Sequence, residues 1–273
     1  TREHLEVVQL LGVERGLIAL TKIDLVDEAR RQRAIEQIRE LTKGTFLAGA
    51  RIAPVSSITA EGFDGFYEAL SEVVAQTPRR NTQGVFRLPI ERVFAVKGYG
   101  TVVTGVPASG QVQLGDQLEL IRVGSDEQDP SRRLTCRVRG LQVFGKDTRC
   151  GLAGQCVAVN LAHVGSGEIG RGDALVSEGY FRPTQVITGE LSLLSRMKKA
   201  LARRTPVALH VGTSERQAKA VLLDRKELAA GDSCPVQFLL DGPIVAGPGD
   251  RFVIRTHSPR MTIGGGVVVD TGM

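Results

Sequence analysis

The chain of 273 residues contains no tryptophan, and aromatic residues make up only 4% of it. Because exposed aromatic rings are what hold the bases of single strands, this scarcity argues against an extended base-stacking platform. No apolar run approaches the roughly 20 residues that a membrane-spanning helix needs. Residues 1–4 also lack the charged start of a signal peptide. We therefore expect a soluble, cytoplasmic protein.

The cysteines form no recognisable metal or disulfide framework. The four cysteines are Cys136, Cys150, Cys156 and Cys234. They include no Cys-x-x-Cys pair, and no histidine lies near them at the spacing of metal ligands. Structural zinc sites usually draw their ligands from such pairs. We therefore expect buried free thiols and no bound metal.

What the sequence does contain is an ordinary globular composition with a modest basic excess. It is 42% hydrophobic and 24% charged, with a net charge of +5. A chain of this length is expected to fold into two or three domains. The positive charge would suit a polyanionic partner without requiring one.

The first part of the chain alternates helical and strand patterns. Apolar residues recur at helical spacing before residue 12, along residues 27–41 and after residue 62, whereas residues 16–20 and 51–55 are short apolar runs. This order, with strands that are apolar on both faces, predicts a parallel sheet covered by helices. The fold class is thus α/β over residues 1–77.

The second part is rich in β-branched runs. A polar linker at residues 78–84 separates it from the first part. A Gly-Asp turn then recurs four times: Gly115-Asp116, Gly172-Asp173, Gly231-Asp232 and Gly249-Asp250. Such turns join strands tightly, because glycine accepts a positive φ and aspartate hydrogen-bonds its own turn. We predict two antiparallel β-barrels, at residues 85–180 and 181–273.

A Lys-x-Asp sequence follows the first predicted strand and indicates recognition of guanine. The Asp24 carboxylate can accept both N–H groups of the guanine edge, which adenine does not offer. Lys22 would lie along the base, and the Thr21 hydroxyl would hold the loop. Ser56 and Ser57 end the second strand, where a backbone N–H can reach the guanine oxygen. Loops at the carboxyl ends of neighbouring parallel strands meet where ligands bind in α/β sheets.

The sequence contains no phosphate-binding loop of the form G-x-x-x-x-G-K-[S/T]. The triplet Gly264-Gly265-Gly266 has no lysine after it and lies in strand-like sequence, so we expect it to serve a bulge or close packing. Two strands carrying three helices would also leave a strand edge unpaired. We therefore expect that the chain begins partway through its domain and does not hydrolyse GTP by itself.

These loops and the segment after the linker together resemble a known family. Residues 86–105 resemble the opening of the second domain of translational GTPases of the elongation factor Tu type. Further segments resemble the selenocysteine-specific branch, SelB: residues 12–16, 21–27, the pair Lys97-Gly98, residues 209–213 and 262–270. The resemblance covers essentially the whole chain.

The resemblance implies that residues 1–77 correspond to the second half of a GTPase domain, followed by two barrels. An intact member would bind GTP or GDP with Mg²⁺ and carry selenocysteyl-tRNA to the ribosome. It would read a messenger RNA hairpin through C-terminal domains that are absent here.

The resemblance also implies an aminoacyl pocket on the first barrel. Glu91 and Arg92 match two of its residues, whereas Cys156 stands where the family carries a second arginine. A selenolate is favoured by fixed positive charge, which a thiol does not supply. Because neighbours in a strand point to opposite faces, Glu91 and Arg92 share a pocket only where the backbone is irregular.

A cationic segment in the second barrel is a weaker candidate for contact with tRNA phosphates. Its charged residues are Arg196, Lys198, Lys199, Arg203 and Arg204. Two other functions stay open at this point: a noncatalytic regulatory or scaffolding protein on the same three-domain plan, and a general aminoacyl-tRNA elongation factor.

Overall fold

The computed structural model describes residues 2–78, 80–96, 98, 100–124, 132–162 and 164–272. Lys97, part of one motif above, lies outside these residues. The chain divides into two compact units, Thr1–Pro78 and Arg79–Met273, which we call the α/β unit and the barrel unit.

The α/β unit has the predicted order of helices and strands. Its elements are α1 (Arg2–Leu10), β1 (Ile18–Thr21), a 3₁₀ turn (Ile23–Leu25), α2 (Glu28–Thr42), β2 (Ile52–Val55) and α3 (Phe63–Gln76). Asp27 caps α2, since its carboxylate accepts a hydrogen bond of 2.7 Å from the N–H of Arg30. None of the helices in the described residues is both long and apolar enough to cross a membrane.

The two strands of the α/β unit pair in parallel, as predicted. Ile18 lies opposite Ile52 at one end, and Thr21 lies opposite Val55 at the other. The loops that follow Thr21 and Val55 therefore leave the sheet side by side. Gly62 follows the second loop with a φ of 81°, and a Cβ there would lie 1.9 Å from the carbonyl oxygen of Pro54. Only glycine fits this approach of α3 to β2.

The first barrel contains ten strands of the barrel unit. They are β3 (Arg87–Pro89), β4 (Arg92–Val96), β5 (Gly100–Gly105), β6 (Gln111–Gln113), β7 (Gln117–Ile121), β8 (Arg133–Val143), β9 (Lys146–Asp147), β10 (Cys150–Leu152), β11 (Val157–Leu161) and β12 (Ala174–Val176). Eight of them form one curved sheet, in the order β3-β12-β7-β8-β11-β5-β4 with β9 beside β8.

The two ends of this sheet, β3 and β4, are consecutive in sequence. The chain passes from one to the other at Ile90 and Glu91, where the Ile90 N–H donates to Asp173 and the Glu91 N–H donates to Thr104. Consecutive residues thus pair with opposite ends of the sheet. The barrel is completed at this point by a bend of the chain and not by a ladder of hydrogen bonds.

The second barrel contains eight strands, of which six form a closed ring in the order β13-β18-β16-β15-β19-β20. The strands are β13 (Thr184–Leu193), β14 (Leu201–Ala202), β15 (Arg204–Val211), β16 (Ser214–Leu222), β17 (Glu227–Leu228), β18 (Ser233–Ile244), β19 (Arg251–Arg255) and β20 (Thr262–Asp270). The prediction of an α/β unit followed by antiparallel barrels is confirmed.

The glycine triplet lies where neighbouring strands of the closed barrel approach each other closely. A Cβ on Gly266 would lie 1.8 Å from the carbonyl oxygen of Glu190, and one on Gly264 would lie 2.6 Å from that of Ser192. The space beside Gly266 is filled by Phe252, which is fully buried and packs edge-on against Phe238. The predicted close packing is confirmed.

The four Gly-Asp turns are copies of one structure. Each glycine has a φ between 85° and 99°. In every copy the glycine N–H donates to the carbonyl of one residue on a neighbouring segment, and that residue's N–H donates to the aspartate carbonyl. Two residues therefore oppose one, which is a β-bulge with glycine at its first position. The opposing residues are Val138, Ile90, Leu193 and Val268.

The two barrels share a buried interface. Arg87 of the first barrel forms a paired ion contact with Asp250 of the second, in which Nη1 lies 2.7 Å from Oδ2. The Arg87 side chain is 7% exposed, and its guanidinium lies over the ring of Phe181. Arg216 of the second barrel donates to the carbonyl of Val123 in the first. The barrels are therefore joined by polar contacts as well as by an apolar cluster.

Candidate functional site

The first predicted guanine loop has an unusual backbone and an exposed carboxylate. Lys22 adopts a left-handed conformation, with a φ of 61°, directly after β1. Ile23 is 2% exposed and anchors the loop. Thr21, Lys22 and Asp24 all lie at the surface, and the Asp24 side chain forms no hydrogen bond or ion pair with the described residues. The carboxylate is thus positioned at the end of the sheet and uncommitted.

The second loop corrects one part of the sequence prediction. Ser56 is fully buried, its N–H donates to the carbonyl of Glu61, and its Oγ accepts the N–H groups of Ile58 and Thr59 at 3.2 Å each. Ser56 therefore holds the turn and does not face a ligand. Ser57 is exposed, and its N–H makes no hydrogen bond within the described part of the chain.

Two features tie the second loop to the first. Arg31 of α2 forms ion pairs with Glu28, at 3.3 Å, and with Glu61, at 3.4 Å. Because α2 begins directly after the first loop, this contact links both loops. Ala60 has a φ of 61°, which is uncommon for a residue other than glycine. Such conformations concentrate at functional sites.

The two loops together contain the groups that the sequence predicts for binding the base of a guanine nucleotide. An exposed carboxylate, Asp24, and an uncommitted backbone N–H, Ser57, follow neighbouring strand ends. The first can accept the two guanine N–H groups, and the second can donate to the guanine oxygen. The binding of guanine at this site stays a prediction.

On the first barrel, the predicted aminoacyl residues lie on neighbouring strands. Arg92 lies opposite Thr104, which lies opposite Ala158. Side chains of directly opposed residues share a face, and here it is the outer face, because the alternate residues Val103 and Val157 are fully buried. Cys156 is two residues from Ala158 and exposed.

The backbone at Glu91 and Arg92 is irregular, which is the condition under which both side chains can share a pocket. Glu91 lies at the bend between β3 and β4, so the regular alternation of a strand does not apply to it. Both side chains are exposed. Cys156 is exposed too, so the expectation of a buried thiol is wrong at this position.

The thiols of the other barrel positions differ from Cys156. Burial raises the pKa of Cys136 to about 12, and burial also raises the pKa of Cys234. Both thiols are buried, whereas Cys150 is half-buried, and all four cysteines are free. The expectation of buried thiols thus holds for two of the four.

The predicted cationic segment of the second barrel is mostly exposed. Arg196 donates to the carbonyl of Thr262 at 2.8 Å. The remaining cations are at the surface: Lys198, Lys199, Arg203 and Arg204. Lys226 is also exposed and lies beside them, because its carbonyl accepts the N–H of Arg203. Sequence reasoning missed Lys226, since it is distant along the chain.

Comparison with protein families gives two matches within the barrel unit. Residues 100–176 match the family described as elongation factor Tu domain 2. Residues 185–272 match the beta-barrel domain of the selenocysteine-specific elongation factor, SelB.

Individual relatives match nearly the whole chain. The selenocysteine-specific elongation factor of Desulfomicrobium baculatum is 38% identical over 99% of the chain and 41% of the relative. That of Escherichia coli K12 is 34% identical over 98% of the chain and 40% of the relative. Over nearly its whole length the chain is similar to the SelB-like branch of the elongation factor Tu family.

Solved structures show the same fold for this SelB-like chain. The apo form of the translation elongation factor SelB from Methanococcus maripaludis superposes with a TM-score of 0.83, at 24% identity, over 98% of this chain and 61% of that one. A bacterial selenocysteine-specific elongation factor, EF-Sec, gives a TM-score of 0.80 at 23% identity, over 97% of this chain and 41% of that one. The SelB-like chain spans about two fifths of the length of the curated relatives it matches.

Proposed function

We propose that this chain is part of a translation elongation factor that delivers selenocysteyl-tRNA to the ribosome in a GTP-dependent manner. The observation that carries the proposal is the pair of loops at the ends of β1 and β2, the first of which carries the exposed carboxylate of Asp24. The names of the relatives, selenocysteine-specific elongation factors, support the choice of cargo.

In this proposal the α/β unit selects the base of GTP or GDP, which binds with Mg²⁺ at its phosphates. Asp24 accepts the guanine N–H groups, the stem of Lys22 covers the base, and Ser57 donates its N–H to the guanine oxygen. A hydrogen bond to a charged group contributes about 1.5 to 3 kcal/mol, and adenine leaves the carboxylate unpaired. We assign no residue of this chain to the hydrolysis step.

The barrel unit would hold the aminoacyl-tRNA. Arg92 supplies positive charge near the amino acid, and Glu91 and Cys156 border the same outer face. Since a thiol brings no positive charge, Arg92 alone would favour a selenolate here. The cations Lys198, Lys199, Arg203 and Arg204 would contact phosphates of the tRNA, with Arg196 held against Thr262. The messenger RNA hairpin is assigned to no residue of this chain.

The guanine site is tested with Asp24→Asn in the full-length protein. One charge-assisted hydrogen bond is lost, so we expect GDP to bind about 10- to 150-fold more weakly. Xanthosine diphosphate, whose base carries an oxygen that accepts a hydrogen bond from the new amide, should bind more tightly. Asp27→Asn, at the cap of α2, is the control. It should leave the preference for GDP over xanthosine diphosphate unchanged. Unchanged GDP affinity in Asp24→Asn would refute the site.

The cargo is tested by binding of selenocysteyl-tRNA and seryl-tRNA at several salt concentrations. Contacts to phosphates give a steep decrease of affinity with salt. We expect that slope with both tRNAs, and tighter binding of the selenocysteyl form. Equal affinities would indicate a general elongation factor, and the absence of a salt-dependent complex would indicate a regulatory or scaffolding protein.

A further inference from the structure

The two candidate guanine loops are linked beyond the sheet by an ion pair. The last residue pair of the parallel ladder is Thr21 and Val55, directly before the loops. Among the hydrogen bonds and ion pairs of the described residues, the contact that joins the two regions beyond this point is that between Arg31 and Glu61, at 3.4 Å. The separation of the loops therefore depends on this ion pair as well as on the ladder.

Arg31 lies near the start of α2, close to the first loop. Its backbone N–H donates to the carbonyl of Asp27 at 3.0 Å, and the Asp27 carboxylate caps the helix. Asp24 stands shortly before this cap in the sequence. The guanidinium is held as well, because its Nη1 lies 3.3 Å from Glu28. Arg31 is therefore fixed relative to the loop that carries Asp24.

The Arg31 side chain is more buried than a surface charge needs to be. It is 22% exposed, and its Nε is buried without a hydrogen bond to the described residues. An arginine that only solubilised α2 would keep this N–H in water, because a buried donor without a partner costs free energy. The guanidinium is thus packed at the place from which it reaches Glu61.

Glu61 holds the end of the second loop. Its carbonyl accepts the N–H of the buried Ser56 at 3.0 Å, so the loop closes on itself. Ala60, directly before Glu61, has a φ of 61°, and such conformations persist only where neighbouring contacts hold them. Ser57, the candidate donor to the guanine oxygen, lies within this closed loop. A shift of Glu61 would therefore move the Ser57 N–H.

We propose that Arg31 is a positioning residue for recognition of the guanine base. Through Glu61 it sets where the Ser57 N–H lies relative to the carboxylate of Asp24. This inference rests on the function proposed above, and it assigns part of the base specificity to a residue that does not contact the nucleotide. Hydrogen bonds weaken steeply with poor geometry, so a small shift of one loop is enough to reduce selectivity.

The test measures the base preference of the full-length protein with Arg31→Gln. GDP is compared with 6-thioguanosine diphosphate, in which sulfur, a weak acceptor, replaces the guanine oxygen. It is also compared with inosine diphosphate, which lacks the amino group that faces Asp24. The preference for GDP over the 6-thio analogue should fall about 2- to 5-fold, as expected for an exposed ion pair. The preference for GDP over inosine diphosphate should be unchanged, because it reports on Asp24.

Matched variants identify the contact. Glu61→Gln should reproduce the effect of Arg31→Gln, and the double variant should be no worse than either single variant. Arg31→Lys keeps the positive charge and should retain most of the preference. Arg33→Gln, which removes a neighbouring exposed cation of α2, should change none of the three affinities. Additive effects of the two single variants would contradict coupling through this pair.

A purely structural role of Arg31 gives a different result. The variant would then lose the same factor of affinity for GDP, the 6-thio analogue and inosine diphosphate, and that outcome would overturn the proposal. Raising the salt concentration provides a second readout, because salt screens exposed charges. The wild type should lose part of its preference over the 6-thio analogue in high salt, whereas Arg31→Gln should show no such change.

The outcomes separate this inference from the proposed function. If the wild type binds GDP no more tightly than ADP, the guanine site of the proposed function fails, and this inference fails with it. If the wild type prefers GDP to ADP but not to the 6-thio analogue, or if Arg31→Gln keeps both preferences, only the role of Arg31 is refuted.

Discussion

The α/β unit and the barrel unit are stabilised in different ways. Among the described residues of the α/β unit, the buried apolar side chains are Ile23, Ala53, Val55 and Ala69. No residue of α1 is buried, and Val74 of α3 is 63% exposed. In the barrel unit, by contrast, large side chains such as Phe238 and Phe252 are completely buried.

The difference shows what positions the candidate residues in each unit. The candidate guanine loops are held by a two-stranded ladder, the buried Ser56 turn and an exposed ion pair. The aminoacyl residues are held by the register of a sheet that encloses a packed core. Substitutions in the barrel unit should therefore change stability strongly, whereas those around the guanine loops should chiefly change local order.

The largest loss of stability is expected from Gly266→Ala in the barrel unit. The added methyl group would meet the Glu190 backbone, which cannot move away as a side chain can. We expect a loss of about 4 kcal/mol in the free energy of unfolding of the barrel unit, measured with urea. Gly167→Ala is the control, because no atom lies within 4 Å of its added Cβ. A loss below about 1 kcal/mol would mean that the barrel adapts as easily as a loosely packed core does.

Breaking the ion pair between the barrels should have the next largest effect. Arg87→Met leaves the Asp250 carboxylate without its partner at a side-chain exposure of 16%. Removing one member of a buried pair costs about 3 kcal/mol or more. Asp250→Asn should cost a similar amount, and the double variant less than the sum of the two. The exposed Arg182→Met is the control, and additive effects would contradict the assignment.

A smaller effect is expected from Glu119, which pairs with Arg133 at the edge of the first barrel. Burial raises the pKa of Glu119, but the hydrogen bonds from Arg133 and from the Gly179 N–H outweigh burial, so its pKa lies below the ordinary 4.5. The ionised form therefore stabilises the fold above that pH. This contribution is lost as the pH falls through the lowered pKa.

We expect Glu119→Gln to cost about 1 to 2 kcal/mol at pH 7, since the guanidinium of Arg133 is partly screened by water. Urea unfolding from pH 7 down to pH 3 should show the difference between wild type and variant shrinking below pH 4.5. A constant difference at all pH values would contradict the role of ionisation.

The smallest effect is expected in the α/β unit, from Arg31→Gln. Its partner Glu61 is 54% exposed, and exposed ion pairs contribute about 1 kcal/mol or less. Amide hydrogen exchange should nevertheless be faster at residues 56–61, because the turn loses its tie to α2. The exposed Arg33→Gln serves as the control. A loss of stability as large as that of Arg87→Met would remove the distinction between the two units.

Most of the fold could be predicted because the sequence patterns are local. Apolar spacing indicated all three helices and both parallel strands of the α/β unit, and the four Gly-Asp turns indicated compact β structure. The contact between Arg87 and Asp250 could not be predicted, since it joins residues 163 positions apart whose side chains look like ordinary surface charges.

The candidate sites were predictable in type and less so in detail. Lys-x-Asp after a strand indicates a loop at the sheet end, but the burial of Ser56 depends on how residues 56–61 fold back on themselves. The left-handed backbone of Phe144 was not predicted, because a positive φ at a residue other than glycine leaves no clear pattern in the sequence.

Each Gly-Asp turn also determines which side chains of the following strand face the core. Two residues occupy the space of one, so deleting Gly249 would move β19 forward by a single position. Because successive side chains alternate between faces, the fully buried Phe252 and Ile254 would then point to solvent. At each of the four turns, a one-residue deletion would therefore exchange the buried and the exposed faces of the following strand. Surface loops generally tolerate changes in length.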